Sequence, residues 1–187
     1  MLIASGILTL IFVLFLVVVG FVANILVKIQ IALTVKFFNE KVALFVVDRF
    51  TILGVVVHEL SHALALLVTF AKIEEISFWD GSKSETLGHV SYRNRGNRFI
   101  RGMQDALCAC APTAVGLWLL YIQIRIFVIY KLDWWCYTLL GYGILSTIDH
   151  MSMSSIDLKN YFRGVWAPAV VIYVASLLYV YYVLKWV

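Results

Sequence analysis

Residues 54–67 read GVVVHELSHALALL, an apolar run that contains the pattern His-Glu-x-x-His. His58 and His62 are four residues apart, so on a helix both side chains lie on one face. Two imidazoles in this arrangement can bind one Zn²⁺, and Glu59 beside the first can act as a general base toward water. The stretch therefore predicts a helical metal site with a catalytic glutamate.

The surroundings of this pattern are as informative as the pattern itself. Between Phe50 and Phe70, His58, Glu59 and His62 are the only ionisable residues. About 20 apolar residues in a helix are enough to cross a bilayer, and ionisable groups at that depth are costly and usually functional. The alternative is a pair of ordinary buried histidines. The apolar setting favours the metal site.

The composition is that of an integral membrane protein. Of 187 residues, 63% are hydrophobic and 14% are charged, whereas a soluble domain is about half apolar and a quarter charged. The sequence predicts one α-helical membrane-embedded domain over 1–187. The net charge is only +4, and the basic residues do not form a stripe with interleaved aromatic residues, so nucleic acid is not an expected partner. Cys108, Cys110 and Cys136 lie in apolar runs and are expected to be buried free thiols.

Hydropathy divides the chain into about five transmembrane helices. The predicted segments are a first transmembrane helix at 1–27, an interfacial segment at 28–49, a second transmembrane helix with HELSH at 50–71, a β-hairpin and loop at 72–103, a third helix at 104–130, a fourth at 134–148, a loop at 149–164 and a fifth helix at 165–187. The first helix is expected to be retained, because a signal peptide would begin with basic residues. Pro112 is expected to interrupt the third helix early.

The polar segment between the second and third helices predicts a β-hairpin. Residues 73–79 and 86–92 are typical of short strands, and residues 80–84 are typical of the loop between them. Four arginines follow the hairpin: Arg93, Arg95, Arg98 and Arg101. Basic loops face the cytoplasm. The sequence therefore predicts a multi-pass protein of the cell membrane whose site lies toward the cytoplasmic side.

Two histidines leave a catalytic zinc site incomplete, because such a site usually has three protein ligands. The last glutamate is Glu85, so no later helix can provide a glutamate ligand. The remaining downstream candidates are His89, Asp105, Asp133, Asp149, His150 and Asp157. Asp105 is expected at the start of the third helix, where its negative charge would stabilise the helix N-terminus. Asp133 is expected at the opposite end of the bundle, too far from the histidines. Asp149 and Asp157 both lie at the cytoplasmic end of the fourth helix, and spacing leaves the choice between them open.

These motifs together resemble the site-2 protease family of intramembrane zinc metalloproteases, in particular its small bacterial members that lack a PDZ domain. The motifs are HELSH in a transmembrane helix, a hairpin with Gly88-His89-Val90, and an aspartate after a later helix. The resemblance covers roughly Thr51 to Asn160. The stretch from Ser155 to Asn160 resembles the S-x-x-D segment of small members, which implies Asp157 as the third ligand. The N-x-x-P-x-x-x-G pattern is matched at Pro112 and Gly116, with Ala109 in place of the asparagine.

The resemblance implies a zinc metalloendopeptidase that hydrolyses peptide bonds in or near transmembrane segments of membrane-protein or signal-peptide substrates. Zn²⁺ would be held by His58, His62 and Asp157, and Glu59 would be the base. Gly88, His89 and Val90 would contact the substrate, by strand addition to the hairpin; the alternative is a hairpin that only plugs the site. A further alternative is a zinc-binding membrane protein without peptidase activity, such as a sensor or a transport or chaperone partner. Glu59 argues against it, because binding alone needs no base.

Overall fold

The computed structural model describes residues 2–78 and 87–186, which are mostly helical. Within these residues the chain forms seven α-helices: α1 Leu2–Phe37, α2 Glu40–Leu44, α3 Ile52–Val68, α4 Arg98–Ile129, α5 Trp134–His150, α6 Ser155–Gly164 and α7 Trp166–Trp186. A π-helical segment, Phe45–Phe50, joins α2 to α3, and two strands, β1 Lys72–Ser77 and β2 His89–Arg93, lie between α3 and α4. The prediction of a helical protein with one small two-stranded sheet is confirmed.

Several of these helices are long and apolar enough to cross a membrane. They are α1, α4 and the part of α7 over Trp166–Val183. A fourth candidate is the pair formed by Glu40–Phe50 and α3, which is bent by 46°. Helix α5 has 17 residues, fewer than the roughly 20 that span a bilayer without distortion. The structure thus supports three or four spans by length and composition, where the sequence predicted about five.

The two terminal long helices leave much apolar surface uncovered. Helices α1 and α7 pack on each other, yet Phe12 and Phe21 of α1 are 60% and 66% exposed, and Tyr179 of α7 is 66% exposed. Exposed apolar surface of this extent is unusual for a soluble monomer. It is consistent with a membrane protein.

Helix α1 extends ten residues beyond the predicted end of the first span at residue 27 and reaches Phe37. No glycine or proline between Lys28 and Phe37 would end a helix. Asn39 then caps α2, because its side chain accepts a hydrogen bond of 2.9 Å from the N–H of Val42. The predicted interfacial segment at 28–49 is therefore the last part of α1, a short helix and most of the π-helical segment.

The two strands pair in an antiparallel manner, with Ile76 opposite Val90 and Ser77 opposite His89. The loop predicted at 80–84 lies outside the described residues. Val90 and Tyr92 pack against a buried cluster that Leu66 forms with Ala71 and Cys108. The sheet is thus anchored beside α3 and α4.

Helix α4 begins six residues earlier than the predicted third span and runs without a break through Pro112. Its N-cap is Asn97, whose side chain accepts a hydrogen bond of 2.9 Å from the N–H of Ile100. The expected interruption at Pro112 is therefore not seen. Of the three free cysteines, Cys108 and Cys110 are buried in α4, and Cys136 is half-buried.

Asp105 was expected to favour the start of a helix, but it lies inside α4 and joins three elements. Its Oδ1 accepts hydrogen bonds from the Tyr92 hydroxyl at 3.1 Å and from Asn94 Nδ2 at 2.7 Å. Its Oδ2 accepts from two nitrogens of Arg163, at 3.0 and 2.9 Å. Because the carboxylate is buried and Arg163 comes from α6, Asp105 fixes β2 and α6 to α4.

Candidate metal centre

Side chains from α3 and α6 bring three potential metal ligands to one point. Nε2 of His58 lies 3.1 Å from Nε2 of His62. Oδ1 of Asp157 lies 3.5 Å from Nε2 of His62, and Oδ2 lies 3.8 Å from Nε2 of His58. Within the described ranges, these three residues form the group of metal-ligating side chains whose ligand atoms all lie within 4.8 Å of one another.

Each of the two histidines uses its other ring nitrogen to contact a main-chain carbonyl. Nδ1 of His58 lies 2.6 Å from the carbonyl oxygen of His150, and Nδ1 of His62 lies 2.9 Å from that of Cys108. A carbonyl can only accept, so Nδ1 carries the hydrogen in both rings. In the neutral imidazoles both Nε2 atoms are then acceptors. Two acceptors 3.1 Å apart repel each other unless a proton or a cation lies between them.

The spacing of the three ligands fits a small tetrahedral cation. Donor atoms bound at about 2.1 Å to one Zn²⁺ in a tetrahedron lie about 3.4 Å apart. The contacts of His62 with His58 and Asp157, at 3.1 and 3.5 Å, are close to this value. Two imidazoles and one carboxylate are also a donor set of catalytic zinc, which keeps a fourth position open. In both chemistry and spacing, the residues fit a metal ion.

Asp157 is held in place by the N-terminus of its own helix. Its Oδ2 accepts hydrogen bonds from the Ser154 hydroxyl at 2.7 Å and from the Ser154 N–H at 3.0 Å, while the Asp157 N–H donates to the Ser154 hydroxyl. This reciprocal pair is a capping box. Burial raises the pKa of Asp157, but the His62 imidazole, when it is protonated, and the hydrogen bonds from Ser154 outweigh burial and hold that pKa below its usual range. Asp157 therefore presents a charged carboxylate to the histidines.

Glu59, the predicted base, is 5% exposed and packs against the segment that enters β2. A Cβ atom added to Gly88 would lie 3.0 Å from Cγ of Glu59, 3.2 Å from its Oε1 and 2.7 Å from the carbonyl oxygen of Ser77. Real Cβ atoms essentially never approach another atom as closely as 2.7 Å. Glycine at residue 88 therefore lets the chain pass this close to the Ser77 carbonyl, and the Glu59 side chain packs against it there.

The site opens into a cavity of about 400 Å³. The residues that line it include the three ligands and Glu59, and also Gly88, His89 and Val90. Since liquid water occupies about 30 Å³ per molecule, the cavity has room for several water molecules beside the ligands. The residues predicted to contact a substrate thus lie in the same cavity as those predicted to bind metal and to act as the base.

Asp149, the alternative third ligand, lies in the same cavity but outside the metal-ligating group. It is 6% exposed, and its Oδ2 accepts a hydrogen bond of 3.3 Å from Nε2 of Gln30 in α1. Its Oδ1 is buried and has no hydrogen-bond partner among the described residues. Of the two aspartates that spacing left open, the structure therefore brings Asp157 to the histidines.

The other candidate ligands lie outside the metal-ligating group. His89 is half-buried at the start of β2, and Asp133 precedes α5 as its N-cap residue. The ring of His150 is turned away from the ligands, with Nε2 lying 3.0 Å from the Thr51 hydroxyl and 3.2 Å from the carbonyl oxygen of Val47. His150 thus contacts the site through its main chain, by accepting from His58.

Sequence reasoning missed the three groups that orient the ligands, namely Ser154 and the carbonyls of His150 and Cys108. Ser154 was detectable, because a serine three residues before an acidic residue is the mark of a capping box. The S-x-x-D segment was assigned to the stretch beginning at Ser155, but the capping serine is Ser154. The two carbonyls could not be identified from the sequence, since every residue has a main-chain carbonyl.

Compared with known proteins, the chain matches no family model, no curated protein and no solved structure.

Proposed function

We propose that this protein is an intramembrane zinc metalloprotease of the site-2 protease type, which hydrolyses peptide bonds in or near transmembrane segments. The observation that supports this most directly is the convergence of His58, His62 and Asp157 in one cavity with Glu59. Three protein ligands with an open fourth position are the arrangement of catalytic zinc, whereas structural zinc has four protein ligands.

In this proposal the protein residues have separate tasks. Zn²⁺, when bound, supplies a Lewis acid that polarises the peptide carbonyl and makes water more acidic. Glu59 takes a proton from the attacking water and then delivers it to the amide nitrogen that leaves, so that the carboxylate is regenerated. The carbonyls of His150 and Cys108 keep both imidazoles in the tautomer that binds metal through Nε2.

The segment at the start of β2 is the proposed substrate contact. A transmembrane helix has its carbonyls in internal hydrogen bonds, so it must unwind locally before a peptide bond can be attacked. In the described sheet, β2 pairs with β1 along one edge, and Gly88, His89 and Val90 line the cavity. An extended segment that adds to the sheet by main-chain hydrogen bonds at these residues would enter the cavity that Glu59 also lines.

We place this centre in the cytoplasmic half of the membrane. The support is the group of arginines that begins at the end of β2, since basic segments are retained on the cytoplasmic side. Its first member, Arg93, is the last residue of β2 and is 72% exposed at its side chain. His62 lies six residues before the end of α3 at Val68, which corresponds to about 9 Å along the helix. The ligands would thus lie a short distance below that surface and within reach of water.

The proposal can be tested with the full chain in lipid nanodiscs and a panel of labelled single-span helices. We expect the wild type to cleave some of them, a zinc chelator to abolish the cleavage, and added Zn²⁺ to restore it. Glu59→Gln should bind one zinc per chain as the wild type does but lose at least about 100-fold in rate, the lower range for general-base catalysis. Equal cleavage by both proteins would refute the role of Glu59.

The same experiment separates the protease from a zinc-binding membrane protein. Wild type and Glu59→Gln are also expressed in cells, and new peptide termini in the membrane fraction are mapped by mass spectrometry. Termini that depend on Glu59 support the protease. If both proteins hold one zinc per chain, yet neither the panel nor the membrane fraction shows any cut that depends on Glu59, the protease proposal fails and zinc binding remains.

A further inference from the structure

Pro112 stands four residues after the carbonyl that holds His62. In an α-helix the carbonyl of residue i accepts from the N–H of residue i+4. For Cys108 that donor would belong to residue 112, and proline has no N–H. Helix α4 is nevertheless continuous from Arg98 to Ile129. The carbonyl of Cys108 is therefore deprived of its helical donor in the middle of a regular helix.

That carbonyl accepts instead from the side chain of a metal-ligating residue. Its oxygen lies 2.9 Å from Nδ1 of His62, and the Cys108 thiol lies 3.5 Å from the same nitrogen. Pro112 is buried, and Cys108 and His62 are 4% and 6% exposed. A buried carbonyl without a donor is costly, so the contact with His62 satisfies the oxygen while it orients the ring.

The second imidazole is held in a related way. The carbonyl that accepts from His58 belongs to His150, the last residue of α5. The last carbonyls of a helix have no intrahelical donor. Each of the two histidines therefore contacts a main-chain carbonyl that has no donor within its own helix. The His150 carbonyl has none because it lies at the end of α5, and the Cys108 carbonyl has none because residue 112 of α4 is a proline.

We propose that Pro112 is a positioning residue for the metal centre. By removing one N–H from α4, it leaves the Cys108 carbonyl to hold His62 in the Nδ1–H tautomer, with Nε2 directed at His58 and Asp157. The inference rests on the proposed function only in that these residues bind a metal. It does not depend on whether peptides are cleaved.

A proline that serves only to bend or pack α4 would behave differently when replaced. Pro112→Ala restores an N–H that competes with His62 for the Cys108 carbonyl. In the positioning role the replacement changes the protonation site on the His62 ring and weakens metal binding. A purely structural role would change stability and leave the tautomer as it is.

The experiment compares Pro112→Ala with Pro168→Ala, which replaces the chain's other proline, near the start of α7. Both full-length variants and the wild type are labelled with ¹⁵N-histidine in nanodiscs. The tautomer of His62 is read by NMR without zinc, and zinc affinity is measured by competition with a chelator. We expect Pro112→Ala to lose the fixed Nδ1–H tautomer and to bind zinc about 10- to 100-fold more weakly, the range found when the partner of a ligating histidine is removed. Pro168→Ala should match the wild type within twofold.

A wild-type tautomer and wild-type zinc affinity in Pro112→Ala would overturn the proposal, as would an equal loss in Pro168→Ala. If Pro112→Ala does not fold, lactic acid placed at position 112 by cell-free synthesis lacks both the N–H and the ring. A wild-type tautomer in that protein supports the proposal, and its loss overturns it. If the wild type binds no zinc, the proposed function fails, while the tautomer of the zinc-free protein still decides the role of Pro112.

Discussion

The carbonyl oxygen of His150 accepts a hydrogen bond of 2.6 Å from Nδ1 of His58. His150 is the last residue of α5, and the carbonyl end of a helix carries partial negative charge. The contact therefore orients the His58 ring and makes the lone pair of its Nε2 more basic, so that this nitrogen binds a cation more strongly. It also makes the geometry of the metal centre depend on the distance between α3 and α5.

That distance depends on Gly54. A Cβ at Gly54 would lie 2.1 Å from the carbonyl oxygen of Ser146 and 2.5 Å from Cδ2 of His150. We expect Gly54→Ala to push α3 away from α5, to lower the free energy of unfolding by about 1–3 kcal/mol and to weaken zinc binding. Thermal unfolding in detergent and a zinc titration measure the two effects.

Gly141→Ala is the matched control, because a Cβ at Gly141 in α5 would meet nothing within 4 Å. It should leave zinc binding unchanged and stabilise the helix by up to about 1 kcal/mol, the usual gain from alanine in a helix interior. Equal zinc affinities and unfolding temperatures for the two variants would show that the close α3–α5 contact has no role.

The capping box at the start of α6 gives a second prediction. Ser154→Ala removes the hydroxyl that donates to Asp157 Oδ2 at 2.7 Å. We expect a loss of about 1 kcal/mol in stability, as for other helix caps, and about tenfold weaker zinc binding. The exposed neighbour Ser155 provides the control, and Ser155→Ala should stay within about 0.5 kcal/mol of the wild type. If Ser155→Ala lost more stability and zinc affinity than Ser154→Ala, the capping residue would be Ser155.

The identity of the third ligand gives a third prediction. Asp157→Ala should lower zinc affinity by more than about 100-fold, because even the outer partners of metal ligands contribute 10- to 100-fold. Asp149→Ala should retain one zinc per chain, since Asp149 accepts from Gln30 and lies outside the group. Zinc content after dialysis, measured by mass spectrometry, decides between them. If Asp149→Ala lost its zinc and Asp157→Ala kept it, the third ligand would be Asp149.

Gly88 gives a fourth prediction, which separates catalysis from metal binding. A Cβ at residue 88 would collide with the Ser77 carbonyl and crowd the Glu59 side chain. We expect Gly88→Ala to keep its zinc but to lose more than about tenfold in cleavage rate, because a displacement of 1 Å at a catalytic group costs about 100-fold.

The control for Gly88 is Gly6→Ala in α1, where a Cβ would meet nothing within 4 Å. This variant should cleave at the wild-type rate. Undiminished cleavage by Gly88→Ala, with the same zinc content, would mean that the segment before β2 can move away from Glu59 without consequence.

The sequence predicted those parts of the site that depend on local spacing. His58 and His62 lie on one face of α3 because they are four residues apart, and the apolar residues around them predicted where the helix would lie. The polar residues after α3 predicted the two-stranded sheet. Each of these features is determined within a few residues of chain.

The features that depend on packing between distant segments could not be predicted in this way. Helix α6 reaches the histidines because it crosses α4 closely at Gly164 and Gly102, where a Cβ on Gly164 would lie 2.4 Å from the Gly102 carbonyl oxygen. Two glycines 62 positions apart give no periodic pattern. Spacing alone could therefore not choose between Asp149 and Asp157, and it could not show that Asp105 binds Arg163.

The proposed metal ligands come from two segments of the chain, and Asp157 follows His62 by 95 positions. The ribosome therefore delivers both imidazoles long before the carboxylate that completes the set. Until α6 has emerged and docked on α4, the nascent protein carries the proposed base and two of the proposed ligands but not the third. Zinc capture would thus come as a late step of biogenesis, and the metal's affinity would add directly to the stability of the fully assembled bundle.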